Sequence, residues 1–375
     1  MSSPADQQTS KPVVLFSSGA TSYELIRYLG SSNHAEVLLA RRRYSDVVGG
    51  SVIIKRLQEP SSAVSRLRLL EEFKLILHLD HPCIAQVYFL RMQEGSPHMV
   101  MEHVEGVSLE NLINFAAMRG QCLPEALAAY VVGEVAEALH HAHVRKDFQG
   151  RPLGIVHRNV SPRHIRVSVH GRVKLTDFAV ASSQLEGRLS TVGPLLKGDI
   201  AYCSPEYLLL HPLDARADIF ALGVILLEMV TGRHLLDLPE LELAMRDPGP
   251  PSALQASLRG EEQSWAPPAE LAMRMERFCP EYVEQATREV SPPMRDIILR
   301  ALRRDPAERF QSGLALRDAL WDFLGGQGRC YGPRDVQQEV ALVRAEAIRR
   351  NGGAQLPEDD YPSTPPGGTP RKPRP

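Results

Sequence analysis

The residues with the most chemical potential lie in one stretch, Gly154 to Ala181, GIVHRNVSPRHIRVSVHGRVKLTDFAVA. Its Asp177 carboxylate can hold a divalent cation weakly, or can cap nearby backbone donors. Asn159 is nearly the size of an aspartate, but it carries no charge and cannot take up a proton as a base. His164 can ligate a soft divalent metal; it can equally be a plain loop histidine. The stretch reads as a tight loop from His157 to His164, a strand, a turn at His170 and Gly171, and a second strand ending at Asp177. Ile165, Val167 and Val169 alternate with Arg166 and Ser168, the period of a half-buried strand.

The elements that must position these groups follow from the rest of the chain. Its 375 residues suffice for two or three folding units with a substantial core. Apolar content of 43% with 23% charged residues is that of an ordinary soluble globular protein. A formal net charge of −2 gives no general pull toward nucleic acid or an anionic membrane. Cys83, Cys122, Cys203, Cys279 and Cys330 are far apart with no C-x-x-C spacing, so they read as reduced thiols. The start, MSSPADQQTSK, lacks the apolar core of a signal peptide, and no run approaches the ~18 apolar residues of a membrane helix. The expectation is a soluble cytoplasmic protein with no membrane insertion.

Residues 1–20 are polar and small, and are expected to be disordered. Five β-like runs follow, YELIRYLG, AEVLLARRR, SVIIKRL, AQVYFLRM and HMVMEHV, interrupted by a helix from Ser62 to His78. Leu67, Leu70, Ile76 and Leu79 are expected to mark its apolar side. Beyond about Val104 the pattern is mainly helical. Leu127, Val131, Val135 and Leu139 share one face, and Asp218 to Thr231 is apolar nearly all round before stopping at Gly232. The stretch from Leu238 to Pro293 suggests short helices and loops. An amphipathic helix is expected around Asp335 to Arg350, followed by a disordered Pro/Gly-rich tail from Asn351.

The motifs in this order resemble those of protein kinases, and of bacterial serine/threonine kinases in particular. His157, Arg158, Asp177 and Phe178 stand where the H-R-D-L-x-x-x-N and D-F-G patterns need them. Val52-Ile53-Ile54-Lys55 resembles the strand whose lysine holds nucleotide phosphates, and Glu72 matches its helix partner. The pair can equally be an ion pair that serves only the fold. The likeness runs from about Tyr23 to Leu324. It implies an α+β bilobal fold: a small lobe over 21–102 with a five-stranded antiparallel sheet and one helix, and a helical lobe over 103–327. Residues 328–375 would add the C-terminal helix and tail.

Several positions depart from the family pattern. The base position holds Asn159 and the second metal position His164, so Asp177 is what remains of the metal set. The phosphate loop, Gly30 to Val37, keeps one glycine of three. Ile53 replaces the alanine that roofs the adenine, and Arg166 replaces the apolar floor, where a desolvated guanidinium is costly. Asp199 stands where a threonine usually touches the catalytic aspartate. The resemblance thus assigns Gly30, Val37, Ile53, Lys55, Glu72, Met101, Glu102, His103, Arg166 and Asp177 to nucleotide binding, in degraded form. It gives Arg158, Phe178, Glu206, Asp218 and Arg309 architectural roles, with Glu206 and Arg309 as a buried ion pair. Ile76, Val87, His157 and Phe178 would stack between the lobes. Arg158, with Ser190 and Thr191, could receive an activation-loop phosphate or bind local carbonyls.

The resemblance therefore implies a pseudokinase that scaffolds or regulates an active kinase or a signalling substrate. A weakly active serine/threonine kinase is the alternative. ATP, with or without Mg²⁺ or Mn²⁺, is the candidate cofactor. A protein is the expected partner, and nucleic acid is not.

Overall fold

The chain is described by a computed structural model for residues 12–350, except 33–34, 46, 60–61, 184–194, 247–248, 261–263, 327 and 329. The alternating apolar runs form a small lobe: β1 (Val14–Ser18), β2 (Thr21–Ser32), β3 (Ala35–Tyr44), β4 (Val47–Leu57), β5 (Val87–Gln93) and β6 (Ser96–Glu102). They make one antiparallel sheet in the order β1-β2-β3-β4-β6-β5. Helix α1 (Ala63–Ile76) is capped by the Ser62 side chain, which accepts from the Ser65 amide.

The pleat sorts the side chains of β4. Ile53 and Leu57 join Leu29, Val37, Met101 and Leu69 of α1, while Val52 and Ile54 join Phe16, Tyr23 and Val100 in a separate cluster. Lys55 shares the parity of Ile53, which puts its ammonium on the α1 side of the sheet.

Two expectations need correction here. Residues 12–20 are ordered, and the sheet has six strands. Phe16 anchors this segment, while Val13 and Val14 stay exposed: Phe16 is buried and stacks on Tyr23 at 4.6 Å, and the Leu25 amide donates to the Val13 carbonyl. The small lobe therefore begins before residue 21. The inner side of α1 is also phased differently from the expectation. Leu69, Glu72, Leu75 and Ile76 are buried, while Leu67 is exposed.

The large lobe opens with β7 (Gly106–Ser108) and α2 (Leu109–Met118), then α3 (Glu125–His143). Next come β8 (Ile165–Ser168) and β9 (Val173–Leu175), which make a small antiparallel sheet in the order β7-β8-β9. The helices α4 (Pro205–Leu208) and α5 (Arg216–Thr231) follow. Helix α5 is buried almost throughout, as its apolar sequence requires, and Gly232 closes it at φ 68° with its amide donating to the Glu228 carbonyl. Among the described residues of 238–291, four short helices form: α6 (Pro239–Ala244), α7 (Ala253–Ser257), α8 (Pro268–Arg277) and α9 (Pro280–Ala286). The lobe ends with α10 (Pro292–Ala301) and α11 (Gly313–Gly326).

The C-terminal helix α12 (Pro333–Arg350) is part of the same core. Its Val336, Val340, Val343 and Ala347 are buried at helical spacing, and it lies against α2. Arg119 pairs with Glu346 at 3.2 Å, and the Tyr331 hydroxyl donates to Glu339. The tail from Asn351, together with Ser190 and Thr191, lies outside the described residues. Among the described residues no helix is long and apolar enough to cross a membrane.

Candidate functional site

The loop before β8 is fixed from below by α5. Asp218, at the start of that helix, accepts from the backbone amides of His157 (2.8 Å) and Arg158 (2.9 Å) and from His143 Nε2 (2.8 Å). Burial works against its charge, yet the His143 bond and these neighbours hold its carboxyl below the ordinary range. Such bonds can sustain a strained backbone: Arg158 and Asp177 both sit in the left-handed region, at φ 62° and 61°. Arg158 turns its guanidinium onto the Val180 carbonyl, the local-carbonyl alternative for this side chain. The His157 ring donates from Nε2 to the Thr176 carbonyl and meets the Phe178 ring edge-on at 4.5 Å. Ile76 and Phe178 lie in one apolar cluster with Val87 packed against it, so the lobes share a continuous core.

The charged residues singled out in the sequence converge. Lys55 Nζ donates to both Glu72 oxygens, at 3.0 and 2.9 Å, and to Asp177 Oδ1 at 3.0 Å. An ammonium has three N–H donors, so all are committed. Burial alone would lower the Lys55 pKa, but Asp177 and Glu72 outweigh it and raise it. Asp177 is held low in turn: burial opposes its charge, and Lys55 more than compensates.

Asn159 and His164 are also buried, at 1% exposure each. The Asp199 amide donates to Asn159 Oδ1 at 2.7 Å, and Asn159 Nδ2 lies 3.0 Å from His164 Nε2. Gly198, at φ 78°, permits this approach; a Cβ there would stand 2.6 Å from Asn159 Oδ1. Burial pushes the His164 pKa down to about 3 in spite of Asp177, so the imidazole is neutral. His164 Nδ1 is 3.8 Å from Asp177 Oδ2.

The family pattern implies Mg²⁺ at this place, and the donor set does not suit it. Mg²⁺ asks for oxygen ligands near octahedral geometry. Here one carboxylate is already bound to Lys55, and beside it stand an imidazole and an amide that bond to each other. Among the described residues no group of three or more His, Cys, Asp or Glu side chains is arranged to hold a metal.

In the base slot, Gly30 adopts φ 134°, open in practice to glycine, and pairs with Val37 across the β2–β3 hairpin. Asn33 and His34 of that loop lie outside the described residues. Val37, Ile53 and Met101 are buried together. Glu102 binds Lys174 at 3.0 Å and the Gln86 amide, and His103 Nδ1 meets Ser51 Oγ at 3.1 Å. Arg166 departs from the alternation of its strand. It is 1% exposed, and its guanidinium donates to the carbonyls of Val104 (3.2 Å) and Gly106 (3.4 Å). Those carbonyls supply the polar partners that let the cation stay inside.

Away from the cleft, Arg309 grips Glu206 with two parallel bonds of 2.7 and 2.8 Å, and donates further to the carbonyls of Arg216, Arg303 and Arg304. The sequence reading missed a neighbouring polar cluster. Tyr202 donates to the buried Glu228 at 2.7 Å, and Arg163 lies 3.3 Å from Glu110 and 3.6 Å from Asp199. Burial raises the Glu228 pKa to about 7, with Glu110 and Asp199 adding to the rise and the Tyr202 bond opposing it. The Asp199 substitution was the signal in the sequence that pointed there.

Comparison with known proteins agrees with the fold. A family model described as the protein kinase domain matches residues 23–320. The chain is 32% identical over 308 residues to the tyrosine-protein kinase MasK of Myxococcus xanthus, covering 80% of this chain and 43% of that protein. It is 28% identical over 317 residues to the serine/threonine-protein kinase PknB of Mycolicibacterium smegmatis, covering 81% and 43%. The chain thus spans less than half the length of these curated relatives. Among solved structures, the PknI kinase domain of Mycobacterium tuberculosis matches with a TM-score of 0.50 at 23% identity, over 80% of this chain and 95% of that one, a likeness of fold. With its bilobal fold and a family match over most of its length, the chain belongs to the protein kinase family and is related to bacterial serine/threonine kinases.

Proposed function

We propose that this domain is a protein kinase fold impaired in phosphoryl transfer, a pseudokinase that works by binding a protein partner in phosphosignalling. The partner would be an active serine/threonine kinase or one of its substrates, met in the cytoplasm as scaffold or allosteric regulator. The observation that carries this reading is the bonding of Asn159 and His164 to each other. The base position holds an amide that cannot accept a proton, and the second metal position holds a neutral imidazole. The buried Arg166 at the floor of the base slot supports it further, because an adenine would have to pack on a cation already tied to two carbonyls.

A second reading has one specific observation in its favour. The Lys55–Glu72 pair is closed and reaches Asp177, the arrangement that a weakly active serine/threonine kinase would use with ATP. Loss of a general base typically costs ~10²–10⁴ in rate, which leaves room for slow transfer.

A thermal-shift titration with ATP, with and without Mg²⁺ or Mn²⁺, separates the cases. A ligand at 100 times its Kd adds ~2.7 kcal/mol of stability. An interaction module shows no shift. A nucleotide-sensing pseudokinase shows one that Lys55→Ala removes. Metal-dependent radiolabel transfer to protein by the purified chain, absent in Lys55→Ala and Asp177→Ala, would refute impairment.

A further inference from the structure

The bonds around Asn159 have a direction, and that direction fixes where the proton of His164 resides. The backbone amide of Asp199 can only donate, so the Asn159 atom it meets at 2.7 Å is the oxygen. The amide nitrogen of Asn159 then faces His164 Nε2 at 3.0 Å, and that nitrogen also can only donate. Nε2 must therefore be the bare, accepting nitrogen of a neutral ring. The single ring proton is left on Nδ1, the atom 3.8 Å from Asp177 Oδ2. That separation is beyond a hydrogen bond, and Nδ1 is buried with no hydrogen-bond partner, so the carboxylate is the charge nearest to its proton that the distances show. The other oxygen, Oδ1, is bonded to Lys55 Nζ at 3.0 Å. Asp177 thus meets an ammonium on one side and an N–H on the other.

An imidazole nitrogen that carries a proton has no lone pair to offer a metal. Turning Nδ1 into a ligand would require the proton to move to Nε2 and the Asn159 amide to flip. The flip would set an NH₂ against the Asp199 N–H at 2.7 Å, leaving two buried donors facing each other. Gly198 lies against one side of Asn159, where even a Cβ would stand 2.6 Å from its Oδ1.

We propose that His164, held in its Nδ1–H form by Asn159, stands in for the divalent cation at Asp177, so that any phosphate-bearing ligand entering this cleft is bound without metal. The proposal rests on the reading of the cleft as one that binds rather than transfers, and it deepens that reading by naming the ligand class and the dispensable cofactor. It also assigns Asn159 a positioning role: the amide sets the tautomer of its neighbour.

The substitution that tests this is Asn159→Asp. A carboxylate can accept from the Asp199 amide and from Nε2–H at once, which frees the Nδ1 lone pair beside Asp177. On the full chain, ¹⁵N NMR of His164 reads the tautomer directly, with the expected Nδ1–H form in the wild type and the Nε2–H form in Asn159→Asp. Titration with Co²⁺, followed by its visible absorption, and with Mn²⁺, followed by EPR, reads the metal. The wild type should show no uptake that depends on Asp177. Asn159→Asp should gain roughly 10–100-fold in Co²⁺ affinity, the usual size of such supporting contacts, and lose the gain when Asp177→Asn is added. His164→Asn, which restores an oxygen donor, should gain Mn²⁺ binding instead. A circular-dichroism melt of each variant confirms that it folds. Wild-type uptake of either metal that Asp177→Asn removes, or an Nε2–H tautomer in the wild type, overturns the proposal. So does a folded pair of variants with no gain in either metal. Protein labelling by the wild type, with tautomer and metal readings as expected, would instead overturn the impaired-transfer reading alone.

Discussion

Arg309 in the large lobe and Lys55 in the cleft are both buried cations gripped by carboxylates. Around Arg309 each donor ends on a partner of the matching kind: two Glu206 oxygens and three backbone carbonyls, none of which a ligand would need. Around Lys55 the partners are Glu72 and Asp177, groups that the family pattern assigns to nucleotide phosphate and metal. The first arrangement is complete because it is only structural. The second is complete because the three Lys55 donors end on Glu72 and Asp177, while Asn159 and His164 beside it bond to each other and bring no further charge. The lesson is that an ion pair kept for folding and one kept for chemistry look alike in distance, and are told apart by what stands next to them.

The comparison can be broken at several points, from the largest effect to the smallest. If two side chains alone silence the cleft, Asn159→Asp with His164→Asn should raise protein labelling from ATP by ~10²–10⁴-fold; an unchanged rate would place the defect elsewhere, with Arg166 and Ile53 the next suspects. Arg309→Ala leaves Glu206 buried without its cation and should cost ~3–5 kcal/mol in urea unfolding. A loss below about 1 kcal/mol would show that the pair is not an anchor. Glu228 supplies a pH test. Its pKa rises from about 4.5 to about 7 on folding, so its contribution is fully present below pH 4.5 and fades as pH climbs through 7. Glu228→Gln should therefore gain in melting temperature over the wild type between pH 5 and pH 8, and a flat difference would contradict the assignment. The smallest effect belongs to the partly exposed Arg119–Glu346 pair, where Glu346→Ala should change stability by less than about 1 kcal/mol.

Much of the fold could be read from the chain because its signals are local. Alternation gave the strands after Tyr23 and the apolar run up to Gly232 gave α5, while the resemblance to protein-kinase motifs put Lys55, Glu72 and Asp177 into one set. What stayed hidden depends on distant partners. Arg166 sits at a position that period-two counting assigns to solvent, and it is buried because the carbonyls of Val104, in the link between β6 and β7, and of Gly106, at the start of β7, receive it. β1 was masked by the polar residues before it, although Val13 to Phe16 is itself apolar. The tautomer of His164 was invisible for the same reason: it is set by the backbone of Asp199, far along the chain. Residue types named the participants, while the direction of each bond needed the fold.

Helix α12 has a practical consequence. The match to the family model ends at residue 320, whereas the interior of this molecule continues through Val336, Val340, Val343 and Ala347. A fragment trimmed to the family limit would lay bare the oily strip on which those side chains rest, and stickiness seen in such a fragment would report the cut rather than a partner.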